Sequence, residues 1–215
     1  MLQTPECDYT KPQRLSFPAD EGKFPWLSIL LDAYNIIDQG VSTAINREQK
    51  QGRVLACAKG CCSCCSTHQD IPVYPLELMG MSWYVIEKLQ PPLREKLKHQ
   101  LQNLDKVDTC PFLLDGACSI HPMRPIACRQ FNVLDKACAD GEDAFHTRKH
   151  DVMIPIERFT HEAFDVMLPF YGIKQKGERR KAIKQGTLHT LAKVMRECNW
   201  KTLPEKMDAF DKKNK

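Results

Sequence analysis

"WLSILLDAYNIIDQGVSTAI", residues 26–45, sets the fold class. Leu27, Leu30, Leu31, Tyr34, Ile37, Val41 and Ile45 recur at steps of three and four, the period of an amphipathic helix rather than a strand. The spacing predicts a helix from Trp26 to about Gln51. Its most apolar part, "WLSILLDAYNII", contains Asp32 and Asn35 and is too short to span a bilayer. The same period returns downstream. Pro75 opens a run in which Leu76, Met79, Trp83 and Ile86 share a face, and Pro91 and Pro92 stop it. Leu93, Leu97, Leu101 and Leu104 continue as a second helix, and further helices are expected near 156–168 and 178–198. Only "CPFLLDGACSI" departs from this. Asp115-Gly116 between short apolar runs predicts a hairpin pairing Cys118 with Leu113. The expected fold is therefore mainly α: a small helical domain with one short β-hairpin and cysteine-rich metal-binding loops.

The organisation follows. Residues 1–25 hold Pro5, Pro12, Pro18 and Pro25 and read as an irregular leader. Residues 26–203 form one cysteine-cluster domain, and 204–215 read as a charged tail. A chain of 215 residues is long enough for a real core, and a net charge of +4 does not by itself call for nucleic acid. The opening residues lack a secretory apolar core, so the expected location is cytoplasmic, with no membrane partner.

Cysteine is the outlier. Of eleven, nine fall between positions 57 and 138, which scattered core packing does not explain. A reducing cytosol and an odd count argue against a disulfide framework. Ligation is the remaining use. In "CAKGCCSCCSTH", residues 57–68, a helical wheel puts Cys57, Cys61, Cys64, Cys65 and His68 in one stripe, with Cys62 pointing away. Cys57 and His68 would lie about 16 Å apart on a helix, too far for one metal. A turn that gathers Cys57, Cys61, Cys64 and Cys65, or divides them between two sites, fits better. Cys110, Cys118, Cys128 and Cys138 supply the second group. One dense run plus widely spread thiols matches iron–sulfur ligation better than the paired knuckles of a zinc ribbon, with zinc as the alternative. Thiolates around zinc or a [4Fe–4S] core leave net negative charge. Arg124 and Arg129, around Cys128, are placed to offset it and to bond sulfur.

"CAKGCCSCC" at 57–65, "IPVYPLEL" after it and "CPFLLDGACSIHPMRPIACRQF" at 110–131 together resemble the YkgJ-like cysteine-cluster family, zinc- or iron-chelating proteins known for a CxxCxxCC motif. The resemblance covers about residues 53–140 and implies a metal site, leaving the activity open. Two departures stand out. Three residues, not two, separate Cys57 from Cys61, and His121 stands where the family commonly has tyrosine; packing is the preferred reading of that histidine, ligation the other.

The expected function is a metal-binding cysteine-cluster protein with a structural or redox role, whose partners are a metal ion or cluster and a protein redox partner or substrate. Two alternatives belong to other classes. Cys57, Cys61 and Cys64 formally match the C-x3-C-x2-C triad of enzymes that use S-adenosylmethionine, relatives of the family include protein methylases, and the chain would then modify a protein; the helices around the triad argue against this. "KQKGERRKAIKQG" at 174–186 would suit a basic adaptor, although such runs are usually solvated faces and nucleic acid is not the expected partner.

Overall fold

In the computed structural model, which describes residues 11–58 and 60–214, the chain is mainly helical with two small two-stranded sheets. The helices in order are α1 (Pro18–Lys23), α2 (Pro25–Lys50), α3 (Ser63–Thr67), α4 (Pro75–Trp83), α5 (Leu93–Gln102), α6 (Ile126–Gln130), α7 (Ala144–Thr147), α8 (Glu157–Met167), α9 (Lys176–Lys184) and α10 (Leu203–Lys213). The strands are β1 (Pro72–Val73), β2 (Leu113–Leu114), β3 (Ala117–Cys118) and β4 (Lys193–Val194).

α2 is the spine. Prolines sit in the first turn of α2 and α4, where the missing N–H costs nothing and φ is already set. The periodic face of α2, from Leu27 to Ile45, is buried in one cluster with Leu76, Trp83, Ala163, Phe164 and Met167. α2 packs most extensively on α8. The two approach closely at Gly40, where an added Cβ would lie 2.7 Å from Phe159 Cβ. Gly40→Ala is expected to lose about 1–2 kcal/mol net, the overpacking outweighing the better helix propensity of alanine. Urea denaturation at constant m-value measures it, and a gain in stability would mean that α8 shifts freely.

A second cluster joins the tail end of α4, a π-helical turn at Tyr84–Lys88, α5, the hairpin and α10. Tyr84 packs against both clusters. The hairpin is as read from the sequence: Leu113 pairs with Cys118, and Asp115 and Gly116 take positive φ of 49° and 75°. These are the paired left-handed conformations of a two-residue turn that asparagine, aspartate and glycine tolerate.

Three segments differ from expectation. Part of the supposed leader is helix α1, whose Asp20 is buried beside Lys88; residues 1–10, Cys7 included, lie outside the described residues. The helix expected over 178–198 stops at Lys184. Gly186 turns the chain at φ 65°, and 3-10 turns then lead into β4, which pairs with β1. Leu191, Met195 and Cys198 thus share no helical face: Met195 is buried and Cys198 donates to Val194 O at 3.4 Å. The supposed charged tail is α10. It buries Leu203 and Met207 against α5 and the π turn, and Arg94 ties it down through Met207 O and Asp211. Its lysines occupy the outer face of an amphipathic helix, and their number masked the buried stripe. Among the described residues, no helix is long and apolar enough to cross a membrane.

Candidate metal centre

The short helix α3 carries the consecutive thiols Cys64 and Cys65, and the elements around it bring in the rest. One side is built by main-chain pairing. Leu55 bridges Leu134, Val133 bridges Val152, and Ala56 N–H donates to Val133 O at 2.8 Å. Arg53 locks this small ladder, donating to Asp135 at 2.8 Å and Asp151 at 2.9 Å. The pairing sets Cys57 beside Val133, whose N–H donates to Cys57 Sγ at 3.2 Å. Burial raises the Cys57 thiol, and the thiols of Cys61, Cys64 and Cys138 add to it. Cys138, a few residues past the ladder, is raised by burial first, with Cys61 and Cys64 among the further causes.

The other side is built on the hairpin. The carbonyl of Cys65 accepts the N–H of Cys110 at 2.8 Å. Cys118, at the end of β3, and Cys128, on α6, are both raised by burial first, with the Cys64 thiol among the further causes. Cys110 is buried, Cys61 is exposed, and the remaining six are half-buried.

The Cys110–Cys65 and Val133–Cys57 hydrogen bonds tie the segments carrying Cys57, Cys65 and Cys110 to their neighbours. Cys62 caps the start of α3. Among the described residues, no group of three or more His, Cys, Asp or Glu side chains is placed to hold a metal ion. The donor chemistry suits a soft metal or cluster, and no other donor type competes among the eight.

Burial and neighbouring thiols raise several of these cysteines. Burial pushes Cys57 up to about 11, and Cys128 is held well above the ordinary thiol value, also by burial first. Cys64 is raised mainly by its hydrogen bond to Cys65, and Cys65 by its bond to Cys110. Thiols so raised are neutral and poor nucleophiles at pH 7, which speaks against covalent catalysis by any of them. A cation among them inverts this, because a coordinated thiol is deprotonated outright.

The arginines are placed in two ways. Arg124 and Arg129 both favour the anionic form of Cys118, and Arg124 that of Cys128. Arg129 is also structural: it donates to Asp38 at 2.7 Å and to the carbonyls of Arg124 and Pro122, with its guanidinium 3.9 Å above the Tyr34 ring. Arg148 went unnoticed in the sequence. Its Nη2 lies 3.8 Å from Cys138 Sγ, and Glu142 at 2.8 Å and Asp151 at 2.9 Å hold it there. The signal was faint, since Arg148 is ten residues from the cysteine it serves and looks like any loop arginine.

Of the two histidines near the site, His121 is committed elsewhere, whereas His68 has a buried Nε2 without a hydrogen-bond partner among the described residues. His121 contacts Arg124 Nη1, and burial followed by the two arginines lowers it to about 3, so it is a neutral packed ring. His68 stacks edge-on against Phe131 at 4.4 Å and bonds Thr67 Oγ1 through Nδ1 at 3.1 Å. No protein-family profile matches the chain, and neither curated protein sequences nor solved structures give a match.

Proposed function

We propose that the protein binds a soft metal centre through its clustered cysteines, an iron–sulfur cluster first and zinc second, in a structural or redox role. The observation that supports this reading is that cysteine-bearing segments far apart in sequence meet beside α3: Cys110 N–H donates to Cys65 O at 2.8 Å, and Val133 N–H donates to Cys57 Sγ at 3.2 Å. Packing alone gives no reason to place nine of eleven cysteines between positions 57 and 138. The ligands proposed are Cys57, Cys61, Cys64, Cys65, Cys110, Cys118, Cys128 and Cys138, with Arg124 and Arg129 offsetting the negative charge of thiolates. When bound, an iron–sulfur cluster would supply one-electron chemistry, whereas zinc would supply cross-linking of the fold.

The chain's own residues supply the setting. Val133 N–H and the Arg148 guanidinium point donors at Cys57 and Cys138, stabilising sulfur in its anionic form. The reading agrees with the resemblance to the YkgJ-like cysteine-cluster family, and a cytoplasmic location is part of the proposal. An enzyme using S-adenosylmethionine is less supported, because the segments flanking Cys57, Cys61 and Cys64 are α2 and α3 rather than alternating strands and helices.

Metal and acid-labile sulfide analysis of anaerobically purified protein, with a visible spectrum, tests the proposal. Iron with sulfide and a brown chromophore is the expected result. Stoichiometric zinc without colour selects the structural alternative, and protein lacking both metal and sulfide refutes ligation.

A further inference from the structure

The basic run that begins at Lys174 is sorted by the fold into one inward cation and several outward ones. Arg179 turns in. Its guanidinium donates to the two carboxyl oxygens of Asp165 on α8, at 2.9 and 3.0 Å, and to Lys174 O at 2.8 Å. That fork pins α9 and the turn before it, while Ala182 is buried and Ile183 packs against the first apolar cluster. Lys174, Lys176, Arg180, Lys181 and Lys184 are all exposed. On α9 the last four of these fall within about 140° of arc, turned away from the buried side, and Lys176, Arg180 and Lys184 step by four residues, about 6 Å each. Among the described residues none of the five outward cations has a carboxylate partner, since Asp165 is taken by Arg179 and Glu162 lies 3.7 Å from Arg158.

Charge is concentrated here. Residues 174–185 hold six cations and one carboxylate, Glu178, a net of +5, whereas the whole chain carries +4. The rest of the molecule is close to neutral, so its excess positive charge lies on this one helix and its approach. Unpaired cations on a pinned helix attract a polyanion. The face itself selects which kind. The apolar residues of α9, Ala182 and Ile183, pack inward, so no apolar side enters a membrane as that of an interfacial helix does. No aromatic residue stands on α9 to stack unpaired bases. Gly177 lies on the outward face, and an added Cβ there would meet nothing within 4 Å, which leaves a low step over which a phosphate backbone can pass close to the helix. Cations at about 6 Å intervals suit successive phosphates of one strand.

We propose that the outer face of α9 binds the phosphate backbone of double-stranded nucleic acid through Lys174, Lys176, Arg180, Lys181 and Lys184. Contacts of this kind position a duplex without reading its sequence. The sequence-based expectation for this run is a solvated face; the pinning by Arg179, the absence of carboxylate partners and the near-neutral remainder of the chain give it a partner instead. The surface is independent of the metal-binding reading, and each stands if the other fails.

The test uses the full chain as purified and the fluorescence anisotropy of a labelled duplex DNA of mixed sequence. Binding is expected to weaken about 100-fold between 50 and 200 mM salt, the slope that corresponds to about four neutralised phosphates. A Lys176→Gln, Arg180→Gln, Lys184→Gln triple variant is expected to lose at least about tenfold in affinity at 50 mM salt and to show a salt dependence flattened to about tenfold. The three side chains are exposed and glutamine matches lysine and arginine in helix propensity, so circular dichroism and the melting temperature should not change. A charge-matched control, Lys206→Gln, Lys212→Gln, Lys213→Gln on the outer side of α10, is expected to bind as wild type does. An equal loss in the control would assign binding to net charge and overturn the surface. Tighter binding of a single strand of the same sequence, or retention on phosphatidylserine vesicles without retention on duplex, overturns the choice of partner. No binding at 50 mM salt overturns the proposal outright.

Discussion

Replacing Glu77 by alanine is expected to destabilise the fold by about 2–6 kcal/mol, the cost of leaving two buried N–H donors without their acceptor. Glu77 is fully buried in the first turn of α4. One carboxyl oxygen accepts the N–H of Tyr74 at 3.0 Å, closing the N-terminus of α4, and the other accepts the N–H of Ile126 at 2.7 Å, at the start of α6. Tyr34 and the Arg129 guanidinium lie beside it. A single side chain thus joins the spine α2, the helix α4 and the helix that carries Cys128. Alanine leaves two buried N–H donors without their acceptor, and each such group costs about 1–3 kcal/mol. Glu77→Gln keeps the shape but opposes an amide N–H to one of the two donors, so it is expected to lose less. Chemical denaturation of both variants measures the order. Equal stability of wild type and Glu77→Ala would mean that water replaces the carboxylate at no cost.

The same residue gives a pH dependence of known sign. Burial outweighs the two N–H bonds and Arg129 and pushes the Glu77 carboxyl up to about 7 from its ordinary 4.5. A carboxyl raised in the folded state contributes stability in acid that is lost as pH rises from about 4.5 through about 7. In chelator-treated protein the stability advantage of wild type over Glu77→Gln is expected to shrink across that window, the thiols cancelling because both proteins share them. A difference that stays level would show that Glu77 is ionised throughout.

The helical spine, the α4–α5 pair and the Asp115-Gly116 hairpin were legible in the sequence because each rests on local chemistry: a period, an N-terminal proline, or a turn with two left-handed residues. α10 and the β1–β4 pair were not. Leu203 and Met207 gain meaning only against α5, and Lys193–Val194 becomes a strand only because Pro72–Val73 lies beside it. The site divides in the same way. Cysteine count and spacing named eight candidate ligands, and the hairpin register placed Cys118 opposite Leu113. Which sulfur meets which depends on the Leu55–Leu134 bridge, a pairing across nearly eighty residues that no local pattern encodes. Arg129 shows the limit from the other side. Its position next to Cys128 suggested charge compensation, and the structure adds a packing role on Tyr34 that sequence distance conceals.

Metal removal is expected to open the cysteine region while the helical spine survives. Among its described residues, the segment from Arg53 to Asp70 holds only α3 of five residues and joins the rest chiefly through the Leu55–Leu134 bridge, the Arg53 ion pairs and the Cys65–Cys110 hydrogen bond. Its side chains are mostly half-buried or exposed, so burial alone stabilises it little. α2 and α8, by contrast, carry a continuous apolar cluster that needs no sulfur. Ligand binding therefore couples to the order of this segment. Structural zinc in small peptides is worth roughly 10–16 kcal/mol of binding free energy at neutral pH, far more than the local contacts. Treatment with chelator under anaerobic conditions is expected to raise the rate of tryptic cleavage around Arg53 and Lys136 by at least about tenfold, the factor that corresponds to about 1.4 kcal/mol of local opening. The far-UV circular dichroism of the long helices should remain, and added metal should restore resistance. Equal cutting of metal-free and metal-loaded protein would mean that the short ladder and the hairpin hold the cysteines in place unaided, and that whatever binds there does so as a passenger on a finished fold.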